Sequence, residues 1–455
     1  MCRRCRLCLE GSMAYGFGQG DLVENKADLM YRRRDVSREK YREPGELPLI
    51  EEYPDVFVFQ DGRRVETPQD WVARREEIKE LFAYYVYGPL PETEGQQVRW
   101  RLKEQRVCSR AVAMPEGNSP MLNARVMELE AIVAYRGREA RFPALAVLPM
   151  EAPAHGLYPV HLEMRFVEEG KSLEAGDNAF YAASRGYATI CCSPTDVAAD
   201  TPGRRGAFYT LHPYAGNWRK QTGVLAAWGW GASRLLDMLE QGLGEQLLVD
   251  PSRNILSGVS RYGKAALVAG AYDSRFRVVV PACSGAGGMA LYRCCTEGRV
   301  YDLKSLGYVN EQGGTTHVTG QNEPLSCLQG EGERHWFNDR FLKFDCVSRL
   351  PVDQHQLAAL TADSWQYLFV VIAAHGEDWV NGGSMYAAYK EAEKVFDFLS
   401  LGSHIAIQVH LRGHALLMED MVKLLDYCDV QMYGAEWNRQ HTRPEQLKTC
   451  VYDGQ

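Results

Sequence analysis

The sequence predicts an α/β protein in which a mostly parallel β-sheet is covered by helices on both faces. Short apolar runs typical of buried strands alternate with longer segments in which apolar residues recur every three or four positions. One of these runs passes directly into a helix that is rich in small residues. Alternating strands and helices are typical of a parallel sheet with covered faces.

The first helix is predicted from Thr67, which is followed by Pro68 and by acidic residues in the early turns. A threonine at the N-cap and a proline at the first helical position are both favourable at a helix start. Gly88-Pro89 is expected to end this helix. Three strand-like runs follow, QQVRWRLKEQRVC, MELEAIVAYRG and FPALAVLPM, and we expect them to form an antiparallel meander.

Strands and helices alternate in the rest of the chain. The predicted strands are YPVHLEMRF, YATICCS, RNILSGVS, RVVVPA, WQYLFVVIAA and HIAIQVHL, and the predicted helices are YAASRG, GVLAAWGWGASRLLDMLEQ, RYGKAALVAGAYD and MYAAYKEAEKVFDFLS. We expect residues 1–45 to be an N-terminal extension, disordered or not native to the protein. Residues 46–455 are expected to form a single domain.

Composition excludes several classes of protein. The formal net charge of −8 argues against a general nucleic-acid binder. The chain has no apolar run of the roughly 20 residues that span a bilayer and no visible secretory signal, so the sequence as given predicts a cytoplasmic protein without membrane contact. The 13 cysteines have no regular spacing, which favours a reducing compartment. Cys2, Cys5 and Cys8 give only a weak indication of a metal site.

The segment SGVSRYGKAAL carries the strongest chemical signal. A strand passes through Gly258, reaches Ser260 and opens a helix, which is the setting of a nucleophile elbow that exposes a serine hydroxyl at the end of a strand. The last glycine of G-x-S-x-G is displaced by one residue, because Tyr262 occupies its place and Gly263 follows. The competing interpretation is an ordinary serine at a helix N-cap. The elbow predicts an α/β-hydrolase three-layer sandwich.

The order of residues along the chain supports the elbow. One downstream strand ends in HGEDWVN, which offers Asp378, with Glu377 as the runner-up, and the next ends in RGHALL, which offers His414. Nucleophile, acid and histidine follow in the order of α/β-hydrolases. These residues predict a catalytic serine, Ser260, with His414 as its general base.

Two cations lie in the first turn of the helix after Ser260. Arg261 and Lys264 are unfavourable there, because a helix N-terminus already carries partial positive charge. Lys264 projects on the same helical face as Ser260. The pattern indicates that an anion is formed or bound beside the serine; the alternative is that both cations pair with surface carboxylates.

GVSRYGKAAL, GAYDSRF and PACSGAGG together resemble the nucleophile block of the glucuronoyl esterases, carbohydrate esterase family 15. FAYYVYGPLP, AAWGWGASRLLDML, HWFNDRF, GEDWVN and HLRGHALLMED resemble bacterial-type members in the expected order. The resemblance covers most of residues 75–420. It implies a serine esterase that cleaves esters of (4-O-methyl-)glucuronic acid, such as those between xylan and lignin. Members of this family are often exported, in contrast to the compartment expected above.

The resemblance also implies roles for individual residues. Ser260 would be the nucleophile and His414 the base, Arg261 would stabilise the oxyanion, Lys264 would bind sugar hydroxyls and Trp336 would contact the uronate. Fungal members place the acid of the triad where this chain has Cys283, and a neutral thiol cannot orient an imidazolium as a carboxylate does. Bacterial-type members can supply the acid after a later strand, which points to Asp378 or Glu377.

Other interpretations remain open at this stage. An acetylxylan esterase or another carbohydrate esterase would use the same triad, and a non-catalytic carbohydrate-binding relative could keep the fold. His404, His410 and His414 could hold a metal, but no acidic ligand pattern accompanies them in the sequence, so we expect no metal and no cofactor. Trp228 and Trp230 are expected to pack in the core. We expect a monomer whose partner is a small or oligosaccharide uronate ester.

Overall fold

A nine-stranded mixed sheet organises the fold in the computed structural model. The residues that it describes are 41–91, 93–168, 170–294, 301–302, 317–318, 323–375 and 378–433. The strands of this sheet are β1 (Gln97–Ala111), β2 (Met121–Tyr135), β3 (Arg138–Leu148), β4 (Tyr158–Met164), β5 (Ala188–Cys192), β6 (Val249–Val259), β7 (Val278–Ala282), β10 (Tyr367–His375) and β11 (Ile405–Arg412). A separate pair consists of β8 (Tyr301–Asp302) and β9 (His317–Val318).

The strand order is β1-β2-β3-β5-β4-β6-β7-β10-β11. The first three strands pair in antiparallel fashion, and β3 is also antiparallel to β5. From β5 to β11 every pairing is parallel. The predicted meander and the predicted parallel sheet are therefore both confirmed. The carboxyl ends of six parallel strands meet at one edge, where ligands usually bind in open α/β sheets.

Helices connect the strands. The α-helices are α1 (Pro68–Phe82), α2 (Asp177–Ser184), α3 (Pro194–Val197), α4 (Ala207–Leu211), α5 (Val224–Met238), α6 (Gly244–Leu247), α7 (Arg261–Tyr272), α8 (Leu325–Leu328), α9 (Gln354–Ala359), α10 (Gly382–Phe398) and α11 (Met418–Tyr433). Trp228 and Trp230 on α5 are each 1% exposed, so their predicted place in the core is confirmed. In the part of the chain described here, no helix has the length and apolar character needed to cross a membrane.

The first helix begins as its sequence predicts. The Thr67 hydroxyl accepts from the Asp70 backbone N–H at 3.2 Å, and the Asp70 carboxylate accepts from the Thr67 N–H at 2.9 Å. This reciprocal capping box satisfies two N–H groups that the helix itself cannot. A π-helical turn, Ala83–Tyr87, extends α1 up to Gly88.

The beginning of the described chain is attached to this helix. Tyr41 stacks on Tyr84 with ring centroids 4.4 Å apart, and its hydroxyl donates to Glu80 at 2.7 Å. Residues 1–40, which form most of the predicted extension, lie outside the described residues, and so do Cys2, Cys5 and Cys8.

Candidate active site

Ser260 occupies a strained turn between β6 and α7. Its backbone has φ 60° and ψ −128°, a region that residues with a side chain rarely adopt. Its N–H donates to the Ala282 carbonyl of β7 at 2.9 Å, which fixes the turn to the sheet. Strain of this kind is concentrated at functional sites and persists only where the surroundings enforce it. The strand–turn–helix geometry predicted for Ser260 is thus present.

Two glycines explain the displaced spacing of the elbow. A Cβ on Gly258 would lie 2.3 Å from the Tyr262 carbonyl oxygen, and one on Gly263 would lie 2.7 Å from the Ala282 carbonyl oxygen. Helix α7 therefore lies directly against the backbone of β7 at Gly263. Tyr262, where the usual pattern has glycine, instead buries its ring against Phe166 and Trp228.

The sheet register brings His414 to the edge that carries Ser260. Val259, directly before Ser260, pairs with Ala282, and Ala282 pairs with Val371 on β10. On the far side, β10 pairs with β11, and His414 follows the end of β11 by two residues. The imidazole packs against the Trp379 ring with centroids 4.5 Å apart.

Four contacts hold the backbone of the loop that carries His414. The His410 Nε2 donates to the Gly413 carbonyl at 2.8 Å. The Cys283 thiol donates to the Ala415 carbonyl, with an Sγ–O distance of 3.8 Å. The Asn178 amide donates to the Leu416 carbonyl at 2.9 Å. The Leu417 N–H donates to Asp420 at 2.8 Å. His414 is therefore carried by a loop whose backbone is held on both sides of it, at Gly413 and at residues 415–417.

His410 is held as a buried cation. Its Nδ1 lies 2.8 Å from an oxygen of Asp420, and its Nε2 faces a carbonyl oxygen, so both ring nitrogens must carry hydrogen. Burial alone would lower the pKa of His410, but the hydrogen bond to Asp420 and the contact with Cys283 outweigh it and raise the pKa to about 10. His410 and Asp420 form an ion pair with both side chains fully buried.

This pair corrects an expectation about the histidines. Potential ligand atoms of His410, Glu419 and Asp420 lie within 4.8 Å of one another, so acidic partners do accompany His410. Both acids belong to α11, and the sequence pattern of β11 gives no indication of them. In this structure His410 and Asp420 form the buried ion pair described above. His404 lies apart, with its Nδ1 3.0 Å from the Gln366 carbonyl oxygen.

Cys283 has a thiol and therefore cannot serve as the carboxylate of a triad. It is fully buried, and its φ is 44°. It directly follows β7, the strand that pairs with β6, and β6 leads to Ser260. Its thiol contacts the Ala415 carbonyl of the histidine loop and the His410 side chain. Asp378 and Glu377 remain the predicted acids.

The two predicted acids follow β10. Asp378 begins a 3₁₀ turn, Asp378–Val380, which also carries the Trp379 ring that packs on His414. Glu377 lies outside the described residues. The choice between these two carboxylates stays a prediction.

Asp200 connects three side chains beside the nucleophile. One carboxylate oxygen accepts from His335 Nε2 at 2.8 Å and from Trp336 Nε1 at 2.7 Å, and the other pairs with the Arg261 guanidinium. Burial would raise the pKa of Asp200, but these three hydrogen bonds outweigh it and lower the pKa. Asp200 thus stays ionised and fixes both Arg261 and Trp336.

Lys264 is buried next to this cluster. Its Nζ is 2.8 Å from each oxygen of Glu323 and 2.7 Å from the Ala286 carbonyl oxygen, and the residue is 1% exposed. The Trp336 ring lies between the cations of Arg261 and Lys264, at 5.4 and 5.5 Å from its centroid, and is 2% exposed. Neither Lys264 nor Trp336 is open to solvent in this arrangement, so their contact with a sugar stays a prediction.

Asp200, Glu323, His335 and the His410–Asp420 pair were not predicted from the sequence. Asp200 had a usable signal, because it follows β5 at the same sheet edge as Ser260. The alternative that Arg261 and Lys264 pair with carboxylates is borne out by Asp200 and Glu323, although the Lys264–Glu323 pair is buried and not at the surface. The two cations therefore belong to a built electrostatic cluster next to the serine.

Comparison with known proteins decides the family. The family model described as "Glucuronyl esterase, fungi" matches residues 170–400, about half of the chain. A solved carbohydrate esterase family 15 (CE15) glucuronoyl esterase from Caldicellulosiruptor kristjansonii is 34% identical, with a TM-score of 0.69 over 87% of this chain and 94% of that one. The chain belongs to the glucuronoyl esterase family. The resemblance and the α/β-hydrolase fold expected from the sequence are both confirmed.

Two curated relatives of this glucuronoyl esterase family member differ in length from it. A multidomain esterase from Ruminococcus flavefaciens is 36% identical over 434 residues, which covers 94% of this chain and 52% of the relative. A 4-O-methyl-glucuronoyl methylesterase from Podospora anserina is 28% identical over 356 residues, which covers 77% of this chain and 61% of the relative. The chain thus spans about half to three fifths of the length of these relatives.

Proposed function

We propose that this chain is a serine esterase that hydrolyses esters of (4-O-methyl-)glucuronic acid, such as those in glucuronoxylan or between xylan and lignin. The observation that carries the proposal is the strained turn at Ser260, followed directly by Arg261 in its Asp200 cluster. Family membership supports the substrate class, since the Podospora relative is named for the methyl ester of 4-O-methyl-glucuronic acid.

The proposed reaction proceeds in two acyl-transfer steps. His414 takes the Ser260 proton while the hydroxyl oxygen attacks the ester carbonyl, and the protonated imidazole then gives that proton to the departing alcohol. Water, activated by His414, next attacks the acyl-enzyme, releases the uronic acid and restores the Ser260 hydroxyl. Asp378, or Glu377 in its place, would hold the imidazole in the required tautomer.

Arg261 is the proposed oxyanion partner. The tetrahedral intermediate places a negative charge on the former carbonyl oxygen beside the first turn of α7, where the helix N-terminus and the Arg261 side chain both carry positive charge. One preorganised donor of this kind contributes about 3–4 kcal/mol to transition-state stabilisation. Asp200 offsets part of the Arg261 charge but fixes its position before the reaction, so little reorganisation is needed.

The sugar is proposed to bind beside the Lys264–Glu323 and Trp336 cluster. Polar groups fixed by one another recognise hydroxyl groups with little loss of side-chain entropy on binding. Within this arrangement Glu323 also accepts from the Ala286 N–H at 2.7 Å, which ties the cluster to the glycine-rich turn after β7. We propose residues 46–455 as one catalytic domain that acts as a monomer.

The decisive experiment compares hydrolysis of benzyl and methyl glucuronate by the wild type and three variants. Ser260→Ala should lose on the order of 10⁶-fold in kcat and keep the fold, because the nucleophile is removed. Asp378→Asn and Glu377→Gln identify the acid, since only the one that orients His414 should lower kcat, by about 10⁴-fold. Unchanged turnover in Ser260→Ala would refute the assignment.

A parallel assay with acetylated sugars distinguishes the nearest alternative, an acetylxylan esterase with the same triad. We expect the uronate esters to be preferred, because their acyl part is a sugar that the proposed Lys264–Glu323 and Trp336 site would bind, whereas an acetyl group has no ring to bind there. A protein that binds these sugars without hydrolysing any ester would instead be a non-catalytic relative; the retained Ser260 and His414 argue against it.

A further inference from the structure

A polar cavity lies at the surface beside the segment that leads into α5. Its volume is about 710 Å³, and its walls come from the β2–β3 hairpin turn, the segment after Gly88 and the stretch between α4 and α5. Four of its lining residues are cations, Arg136, Arg138, Arg219 and Lys220. No aspartate or glutamate is among the described residues that line it.

These four cations differ from the arginines on the neighbouring strands. Arg99 and Arg141 pair with Glu139, and Arg101 pairs with Glu130. In contrast, the four cations of the cavity form no ion pair with any carboxylate of the described residues. In a chain of net charge −8, four uncompensated cations around one cavity mark a place where an anion would be stabilised.

The backbone gives independent support. Arg136 and Gly137 form the two-residue turn of the β2–β3 hairpin, both with positive φ, 48° and 75°. Asparagine, aspartate or glycine is usual at such a position, and arginine is strained there. The turn holds the Arg136 guanidinium over the Tyr135 ring, 4.9 Å from its centroid.

A half-buried histidine in the cavity wall responds to this charge. Burial and the positive charges of Arg234 and Arg136 lower the pKa of His212 to about 4, so its ring is neutral at neutral pH. The same wall therefore offers a neutral imidazole and the Tyr135 ring, which pack together with centroids 5.1 Å apart. Aromatic faces beside cations suit a sugar that carries a carboxylate.

The cavity and Ser260 share one edge of the sheet. Strand β3 is antiparallel to β5, so the hairpin turn before β3 lies at the edge where β5, β4 and β6 end. Three strand spacings separate β3 from β6, about 14 Å at the usual separation. Ala144 pairs with Cys192 at the end of β5, so the hairpin turn extends about 20 Å beyond that end. Thr222 of the cavity wall precedes Gly223, where a Cβ would lie 2.2 Å from the Trp336 carbonyl oxygen. The cavity is thus close to the cluster beside the nucleophile.

We propose that this cavity is a subsite for a second, unesterified uronate on the same polysaccharide chain whose ester is cleaved at Ser260. The inference rests on the proposed function and extends it. A free carboxylate on a neighbouring substituent would pair with the Arg136 and Arg219 guanidinium groups while the neutral ester lies at the serine. The enzyme would then prefer partly de-esterified polymers, and its preference would grow as hydrolysis exposes more carboxylates.

The test compares two xylo-oligosaccharides that each carry one methyl-esterified glucuronate. One carries a second, free glucuronate and the other has no second substituent. For the wild type we expect a KM about tenfold lower on the first, consistent with one or two charge-assisted hydrogen bonds. The difference should shrink at high salt, because exposed charges are screened.

The double variant Arg136→Gln, Arg219→Gln should lose this preference and keep the wild-type kcat/KM on methyl glucuronate. Arg141→Gln, which removes a carboxylate-paired cation of β3, is the matched control and should keep the preference. Equal KM values of the wild type for both oligosaccharides, or a preference retained in the double variant, would overturn the subsite. Inhibition by polyglutamate as strong as by a free glucuronate oligosaccharide would show a general anion site and overturn it too.

Loss of all ester hydrolysis would instead contradict the proposed function, so the two failures are distinguishable. Direct titration of the wild type with a xylo-oligosaccharide that carries only a free glucuronate supplies a readout without turnover. Binding that disappears in the double variant is the expected result. Equal binding by both proteins would contradict the subsite.

Discussion

The proposed nucleophile, Ser260, and its proposed base, His414, are positioned by different physical means. The backbone of Ser260 is fixed by a strained φ, by a hydrogen bond to β7 and by two glycines that permit close approach. The His414 loop is fixed largely by charge, through the buried His410–Asp420 pair. Backbone packing is insensitive to pH, whereas a buried ion pair responds to pH and to single substitutions. The two halves of the site should therefore fail under different conditions.

The largest expected effect is on the histidine side. Asp420→Asn should lower the free energy of unfolding by about 3–5 kcal/mol, because it leaves the buried His410 cation without its partner. Denaturant unfolding measures this change, and Glu419→Gln, at the exposed neighbouring position, is the control. A loss below 1 kcal/mol would mean that the pair does not organise the loop.

The wild type should show the corresponding pH dependence. The pKa of His410 is raised from its ordinary value of 6.5 to about 10 in the folded protein, so its contribution to stability is complete below pH 6.5 and is lost as the pH rises through about 10. Asp420→Asn should remove this slope. An equal slope in both proteins would assign it to other groups.

A smaller effect is expected on the serine side. In Gly263→Ala the new methyl group would lie 2.7 Å from the Ala282 carbonyl oxygen, so α7 must move away from β7 at a cost of about 1–3 kcal/mol. Activity on methyl glucuronate should fall with the displacement of Ser260, and the fall should not depend on pH. Gly332→Ala, which has nothing within 4 Å of the new atom, is the control.

The smallest effect concerns Asp200, which holds Arg261 beside Ser260. Asp200→Asn should lower kcat about tenfold with a smaller change in KM, because Arg261 loses its fixed partner and each tenfold corresponds to about 1.4 kcal/mol. Asp196→Asn, at an exposed position four residues earlier, should match the wild type. In a protein that already carries Arg261→Ala, the Asp200→Asn substitution should cause no further loss of kcat. If the losses from the two substitutions were fully additive, Asp200 would not act through Arg261.

Local signals made the fold and half of the site predictable. The strand–turn–helix around Ser260 is encoded in adjacent residues, and the alternation of strands and helices gives the parallel sheet. Asp200, Glu323 and Asp420 were missed because their partners are 61, 59 and 10 residues away, and charge pairing over such distances depends on topology. Capping at Thr67 was predictable, since its partner is three residues away.

The displaced glycine of the elbow has a consequence for recognising related enzymes. The turn requires a glycine at the position where helix α7 contacts the Ala282 carbonyl of β7. In this chain that glycine is Gly263, one residue later than usual, because the buried ring of Tyr262 fills the usual position. Searches with a fixed letter spacing will overlook such chains. A search for a left-handed serine at a strand end, with a helix seated on the next strand, would retrieve them.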